Sequence, residues 1–304
     1  MCSTCGRKLT PKESSSRLAC EHCYISYPIE NGIPILLPEG EISTHETRMR
    51  DSYNEYAAQA AENEYHYWWY MARRRILISL LRLYSPVEMG NAENSRISAV
   101  AIDLGCGTGA LGRAMRENLN MRVFGLDLSF GELQYAHTKN SLPVICTTVE
   151  RMPFIENAFE VVVMADLIEH LDDDLLALQK AFSILKTGGI ALITVPAYEW
   201  LRHPLFDSSH KRRYTRATLI RVVKQAGFVI LTCSYMNSIL FPLMVIQRLA
   251  TRKFLGKKEE KHTLVPPNAL INRVLYFLFA IESWALRILK FPYGGSVFCI
   301  AMKS

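Results

Sequence analysis

The stretch that decides the fold is Val100-Ala101-Ile102-Asp103-Leu104-Gly105-Cys106-Gly107-Thr108-Gly109, continued by Ala110-Leu111-Gly112-Arg113-Ala114-Met115. A short apolar run reads as a buried strand, a glycine-rich turn ends it, and a helical pattern follows. Glycines let backbone pass close to a ligand and accept positive φ. The helix N-terminus adds a field that favours a carboxylate or phosphate. Taken alone the turn is weak, because Gly105-x-Gly107-x-x-Ala110 also fits a loose dinucleotide pattern. Asp103 separates the readings. Two residues before the first glycine, it would repel a pyrophosphate but hold a cation such as an amino acid's ammonium. The next strand ends Gly125-Leu126-Asp127, setting a carboxylate where it can accept from ribose hydroxyls.

Outward from this turn, apolar runs near 99–103, 122–126, 143–147, 159–165, 189–195, 228–234 and 296–302 alternate with helical patterns. That alternation predicts an α/β fold, a doubly wound Rossmann-like seven-stranded sheet. Expected boundaries are a small N-terminal zinc ribbon over 1–42, a helical linker or cap over 43–95, and the main domain over 96–304. A helical insertion at about 236–294 interrupts the main domain before its last strand.

Residues 96 to about 235, with 296–304, resemble class I S-adenosylmethionine-dependent methyltransferases of the type 11/12 group. Asp103-x-Gly105-x-Gly107-x-Gly109 matches their first motif and Asp127 the second. The adenine segment of such enzymes commonly reads Gly-Asp-x-Glu-x-Leu-Pro-Phe; here it is Thr147-Thr148-Val149-Glu150-Arg151-Met152-Pro153-Phe154, so Thr148 replaces the acid. Phe159 to Asp166 matches the fourth motif, and Leu185-Lys186-Thr187-Gly188-Gly189 the turn before the fifth strand. The resemblance implies S-adenosylmethionine as cofactor. It assigns Asp103, Gly105, Cys106, Gly107, Gly109, Asp127, Leu128, Thr148, Val149, Glu150 and Asp166 to the cofactor site, with Cys106 beside the ligand.

Four of the 8 cysteines lie in the first 23 residues as Cys2-x2-Cys5 and Cys20-x2-Cys23. Two such knuckles set four thiolates round one tetrahedral ion, a closed site and hence structural zinc. His22 reads as a spectator, and Tyr27 to Pro38 as two short strands around Asn31-Gly32. This segment resembles the small zinc-ribbon proteins that activate tRNA and protein methyltransferases.

In open α/β sheets ligands sit beyond the carboxyl ends of the strands. There the sequence offers Asp166, Glu169 and His170, then His203, Asp207, His210, Lys211, Arg212 and Arg213. An acceptor oxygen or nitrogen must lose a proton, so a base of near-neutral pKa helps. His210 oriented by Asp207 is the candidate, with His170 packing over the cofactor. Glu169 with His170 could instead hold a divalent ion, as in the quinone-biosynthesis methyltransferases this region resembles. Arg212, Arg213 and Arg216 would suit a phosphate or carboxylate on the acceptor.

In the insertion, Asn237 to Thr251 and Asn268 to Lys290 read as helices. In the second, Ala269, Tyr276, Ala280, Ser283 and Arg287 fall on the side of Arg273, and Glu282 falls opposite among leucines. A carboxylate there needs a partner, either in the acceptor pocket or on an arginine. The insertion is either ordinary core or an apolar lid for a lipid-linked acceptor at a membrane surface.

Of 304 residues 49% are hydrophobic and 21% charged, which excludes a disordered chain. No signal-peptide pattern opens the sequence, and the 23 uncharged residues from 225 to 247 contain Asn237, Ser238 and Pro242. The expected location is cytoplasmic, either free or peripheral on the inner membrane face. The net charge of +6 comes mainly from stretches near 73–75, 211–224 and 248–261. The expected partner is a small or lipid-linked methyl acceptor; no protein partner is indicated. An rRNA or tRNA acceptor contacted by the ribbon, and a non-catalytic cofactor-binding scaffold, are the alternatives.

Overall fold

The computed structural model describes residues 1–11, 16–37, 44–85, 99–202, 209–254 and 267–304. His203 and Asp207 lie outside them.

The first strands, β1 (Thr10–Pro11), β2 (Arg17–Ala19), β3 (Ser26–Glu30) and β4 (Ile33–Pro34), form an antiparallel sheet in that order. The expected Asn31-Gly32 turn joins β3 to β4, with φ of 51° and 80°. Positive φ at both positions matches the right-handed strand twist of a tight hairpin.

Two helices follow, α1 (Thr44–His66) and α2 (Trp68–Tyr84). The break between them has a cause far away in sequence. Asn272 accepts from the Trp68 N–H at 3.0 Å and donates to the His66 carbonyl at 2.8 Å. One amide thus satisfies the start of one helix and the end of the other. The inward side of α2 buries Ile76, Leu77, Leu80 and Leu81 completely.

The main sheet has β5 (Ala99–Leu104), β6 (Met121–Asp127), β7 (Val144–Cys146), β8 (Phe159–Ala165), β9 (Leu185–Pro196), β10 (Val229–Met236) and β11 (Ser296–Met302). Their order is β10-β11-β9-β8-β5-β6-β7. Only β11 runs against its neighbours, β9 and β10. Between strands run α3 (Ala110–Leu119), α4 (Phe130–Thr138), α5 (Asp174–Ile184) and α6 (Arg216–Gln225). Helices cover both faces, so Val161, Val162, Val163 and Met164 are buried without alternation. One expectation fails locally. Leu185 to Gly189 is not a turn before the fifth strand but part of β9, which reaches Phe159 across a bulge.

The ribbon is not a separate bead. Leu36 N–H donates to the Cys146 carbonyl at 2.8 Å, and the Thr147 hydroxyl donates to the Leu36 carbonyl at 3.3 Å. The Met1 ammonium donates to the Pro153 carbonyl at 2.7 Å. The ribbon therefore covers the β7 edge, beside the adenine segment.

The insertion holds α7 (Phe241–Phe254), α8 (Ala269–Ala280) and the single turn α9 (Glu282–Ala285). The single helix expected over 268–290 breaks at Ile281. Glu282 explains the break: it is fully buried, and its Oε1 accepts from Ser238 N–H at 2.6 Å and Ile239 N–H at 2.9 Å. Its partner is thus backbone, neither an arginine nor the acceptor pocket. Burial pushes the Glu282 carboxyl up, although those amides pull it down.

Two stability outcomes follow. Glu282→Ala orphans two amides and should cost about 2–5 kcal/mol in chemical denaturation, whereas Glu282→Gln keeps an acceptor and should cost roughly 1 kcal/mol. Cys20→Ser should release the ribbon from β7, so that amide exchange rises at 144–148 and not only within 1–37. Unchanged exchange at 144–148 would show that the edge does not need the ribbon.

Candidate functional site

A cleft opens beyond the carboxyl ends of β5, β6, β7 and β8, with an open volume of about 930 Å³ that includes its mouth. Its walls include Gly105, Gly107, Asp127, Leu128, Thr148, Val149, Glu150 and Asp166, all singled out in the sequence. Asp103, Cys106 and Gly109 lie behind the lining. Cys106 therefore does not flank the cleft as expected: it is buried, and its thiol donates to the Gly107 carbonyl at 3.8 Å. A Cβ on Gly125 would stand 2.6 Å from that sulfur, so the thiol fills the space under β6 that this glycine leaves.

The turn is shaped by its glycines and held by one carboxylate. Gly109 has φ of 78°, and a Cβ there would sit 2.8 Å from the Ala136 Cβ. Asp127 accepts from Gly107 N–H at 2.8 Å through Oδ2 and from Ser129 N–H at 2.9 Å through Oδ1. Asp127 also lines the cleft.

Three buried oxygens here have no hydrogen-bond partner: Oδ1 of Asp103, Oγ1 of Thr108 and Oγ1 of Thr148. Such groups cost free energy unless a ligand satisfies them. Burial, with the carboxylates of Glu64 and Asp127, pushes Asp103 up to about 8, and Arg73 partly offsets this. An ammonium would remove that penalty. Burial likewise pushes Glu132, which lines the cleft, well above the usual carboxylate range.

Arg73 is the residue sequence reading missed, since it stood out there only as part of the basic stretch near 73–75. It reaches Asp166 Oδ2 at 2.8 Å and the Thr194 hydroxyl at 3.1 Å, and lies over the Trp69 ring at 5.2 Å. Asp166 itself has φ of 55°, a strained value for a non-glycine residue. Glu132 was also missed. Its signal was its place in the first turn of α4, five residues after Asp127, where a side chain faces back over the strand end.

At the far end of the cleft, His170 lines the wall, and the His210 ring meets it edge-on, centroids 4.6 Å apart. Glu169 is completely buried, neither carboxylate oxygen has a partner, and burial pushes its carboxyl well above the usual range. The ligand atoms of Glu169, His170 and His210 fall within 4.8 Å of one another, a spacing open to a cation. The neighbouring cations are committed elsewhere. Lys211 pairs with Asp172, Arg212 reaches Asp174 at 2.9 Å, and Arg213 donates to the Ala197 carbonyl at 3.0 Å. Arg212 and Arg213 are therefore braces, not the free anion receptors expected.

In the ribbon, the sulfurs of Cys2, Cys5, Cys20 and Cys23 also lie within 4.8 Å of one another. A tetrahedral zinc–thiolate site needs sulfurs about 3.8 Å apart; Cys5 and Cys20 are 3.5 Å apart. The Tyr27 hydroxyl touches Cys2 Sγ at 3.3 Å. Hydrogen bonds from Cys5 and Cys20, with burial, push Cys23 up to about 12. Four thiolates this close need a cation, so the donor set fits zinc.

The family described as "Methyltransferase domain" matches residues 102–193, from β5 into β9. A probable S-adenosylmethionine-dependent methyltransferase of Mycolicibacterium smegmatis is 28% identical over 133 residues, 42% of this chain and 51% of that protein. A ubiquinone biosynthesis O-methyltransferase of Rhodopseudomonas palustris is 34% identical over 104 residues, 33% of this chain and 40% of that protein. This chain thus spans about half the length, or less, of these curated relatives. Among solved structures, a complex of the Haloferax volcanii Trm112 methyltransferase activator with a putative methyltransferase matches with a TM-score of 0.53 and 19% identity. The match covers 83% of this chain and 97% of that one. Residues 102–193 thus match a methyltransferase domain, and the fold is one shared with that solved structure.

Gly109→Ala should destabilise the protein by about 2–4 kcal/mol, from left-handed backbone strain plus the contact with Ala136. Urea denaturation reads it, and a loss below about 0.5 kcal/mol would contradict the turn geometry.

Proposed function

We propose that this chain is a class I S-adenosylmethionine-dependent methyltransferase and transfers a methyl group to an oxygen or nitrogen of a small or lipid-linked acceptor. The observation that carries this reading is the unpartnered buried oxygen of Thr148, Oγ1, in the wall of a cleft that also presents Asp127, with the unpartnered Oδ1 of Asp103 buried behind that wall. Asp103 would meet the cofactor's ammonium, Asp127 its ribose hydroxyls and Thr148 its adenine. The cofactor supplies an electrophilic methyl on a sulfonium.

The chain's own contribution is to position the reactants and exclude water. Gly105 and Gly107 line the cleft without side chains, so backbone itself can approach the ligand. Arg73 fixes Asp166 at the floor. An acceptor entering beside His170 would give up its proton there, with His210 as base and Asp207 as its orienting partner. The cation reading of Glu169, His170 and His210 is the second possibility, favoured by the buried, unpartnered carboxyl of Glu169. A lipid-linked acceptor is favoured by the insertion, where Leu243, Ile246 and Leu249 of α7 are more than half exposed. We read this flank as a peripheral membrane contact; no described helix is long and apolar enough to cross a membrane. A ubiquinone-precursor type of acceptor, as the name of the R. palustris relative suggests, has the same amphiphilic character.

Asp127→Ala should weaken cofactor binding at least tenfold by calorimetry, and unchanged affinity would refute the site. With Asp103 at about 8 before binding, pairing with an ammonium should ionise it. Binding below pH 8 should then release a proton, and affinity should rise with pH up to about 8 and level off. Calorimetry in two buffers of different ionisation enthalpy reads the proton; equal heats would rule out this role for Asp103. Incubation with methyl-labelled cofactor and separated lipid, RNA and protein fractions tests the acceptor class. Label in RNA would select the alternative.

A further inference from the structure

A second cleft lies on the other side of α2, between α2, α3, α8 and the turn after α9, with an open volume of about 1110 Å³ including its mouth. Four guanidinium groups enter it: Arg74, Arg75 and Arg82 from α2, and Arg287. Hydroxyls of Ser79, Tyr276 and Ser283 join them, and no carboxylate lines the walls. Arg74 is neutralised by Glu64 at 3.2 Å. Arg75 donates only to the Tyr276 hydroxyl at 3.4 Å, and Arg82 to the Asn118 carbonyl at 2.9 Å. Among the described residues no carboxylate pairs with Arg75, Arg82 or Arg287. Three uncompensated guanidiniums and three hydroxyls around one space form a receptor for a phosphate group, which guanidinium binds in bidentate fashion.

One wall of this cleft is apolar and leads out of it. Trp284 lines the cleft and is 64% exposed. It belongs to a stripe that runs Leu270, Val274, Phe277, Ile281, Trp284 and Ile288, spaced four, three, four, three and four residues apart. All six are exposed, by 48–72%. From 267 to 304 the sequence contains one acid, Glu282, and it is buried, whereas Arg273, Arg287 and Lys290 are exposed. A protein partner would have to match an unusually apolar helix bordered only by cations. A membrane leaflet with anionic lipids offers both halves at once.

We infer that the cleft between α2 and α8–α9 binds the phosphate headgroup of an anionic phospholipid, whose acyl chains lie along the Phe277–Trp284–Ile288 stripe. This rests on the reading of the insertion as a membrane contact and adds a defined headgroup site to it. The site would hold the protein on the leaflet through α2, the same helix whose Arg73 pairs with Asp166 of the first cleft.

The test uses the full zinc-bound chain in sedimentation with two vesicle types, phosphatidylcholine alone and phosphatidylcholine with 30% phosphatidylglycerol. Wild type is expected to prefer the anionic vesicles at least tenfold. Arg75→Gln/Arg287→Gln should lose roughly 30-fold, at about 1 kcal/mol per cation near the surface. Arg221→Gln, an exposed arginine of α6, should change binding less than twofold. Cofactor affinity should be unaffected in both variants, which confirms folding. If the Arg75/Arg287 pair binds as Arg221→Gln does while Phe277→Ser/Trp284→Ser abolishes binding, the headgroup site is overturned and the membrane contact survives. If wild type binds neither vesicle type, both fall. If inorganic phosphate alone raises the melting temperature through Arg75 and Arg287 without vesicle binding, the cleft takes a free phosphate compound and the lipid assignment is overturned.

Discussion

The carboxylate of Asp127 joins the end of β6 to the glycine turn after β5 and to the start of α4. Its two oxygens accept from Gly107 and Ser129. Loss of either bond would free the segment that forms the cleft wall, because three glycines in the turn give it little resistance of its own. Everything nearby is arranged around this charge. Glu132 and Asp103 sit close by with carboxyls pushed up by burial, and Arg73 is the cation beside them. Such a concentration of buried acid is costly in the empty protein. It is the arrangement expected where a ligand brings positive charge and hydroxyl donors.

The helix α2 gives the molecule a second organising element, because it serves two clefts with different sides. Ile76, Leu77, Leu80 and Leu81 pack inward, Arg73 pairs with Asp166 of the first cleft, and Arg74, Arg75 and Arg82 line the second. Consecutive residues on a helix point about 100° apart, so three arginines in a row cannot share a destination. The basic triplet therefore has to be read one residue at a time.

Strand positions and the cofactor turn were legible in the sequence because both depend on local pattern: apolar runs of strand length, and glycines followed by a helix. The four-cysteine spacing was legible for the same reason. What was not legible depends on contacts distant in sequence. The break at Ile281 follows from Glu282 meeting backbone amides 43 and 44 residues away. The gap between α1 and α2 is set by Asn272. The bracing of Arg212 by Asp174 and of Arg213 by Ala197 could not be told from a free basic face by composition. Cys106 was expected at the ligand because it sits in the turn, yet the vacancy over Gly125 draws its side chain the other way.

The seating of the ribbon also bears on how the protein is made. The knuckles and their hairpin are complete within the first 37 residues, yet the strand edge that receives them is β7, and Leu36 meets Thr147 across 111 positions. During synthesis the ribbon emerges long before its dock exists. A ribbon whose four cysteines took up a metal could fold round it and wait; without one, its hairpin edge would stay unpaired. A metal-closed ribbon is a compact unit that can wait without misassociating; an edge strand without one invites wrong partners. Metal supply at that moment would then govern the yield of correctly assembled protein more than the stability of the finished molecule.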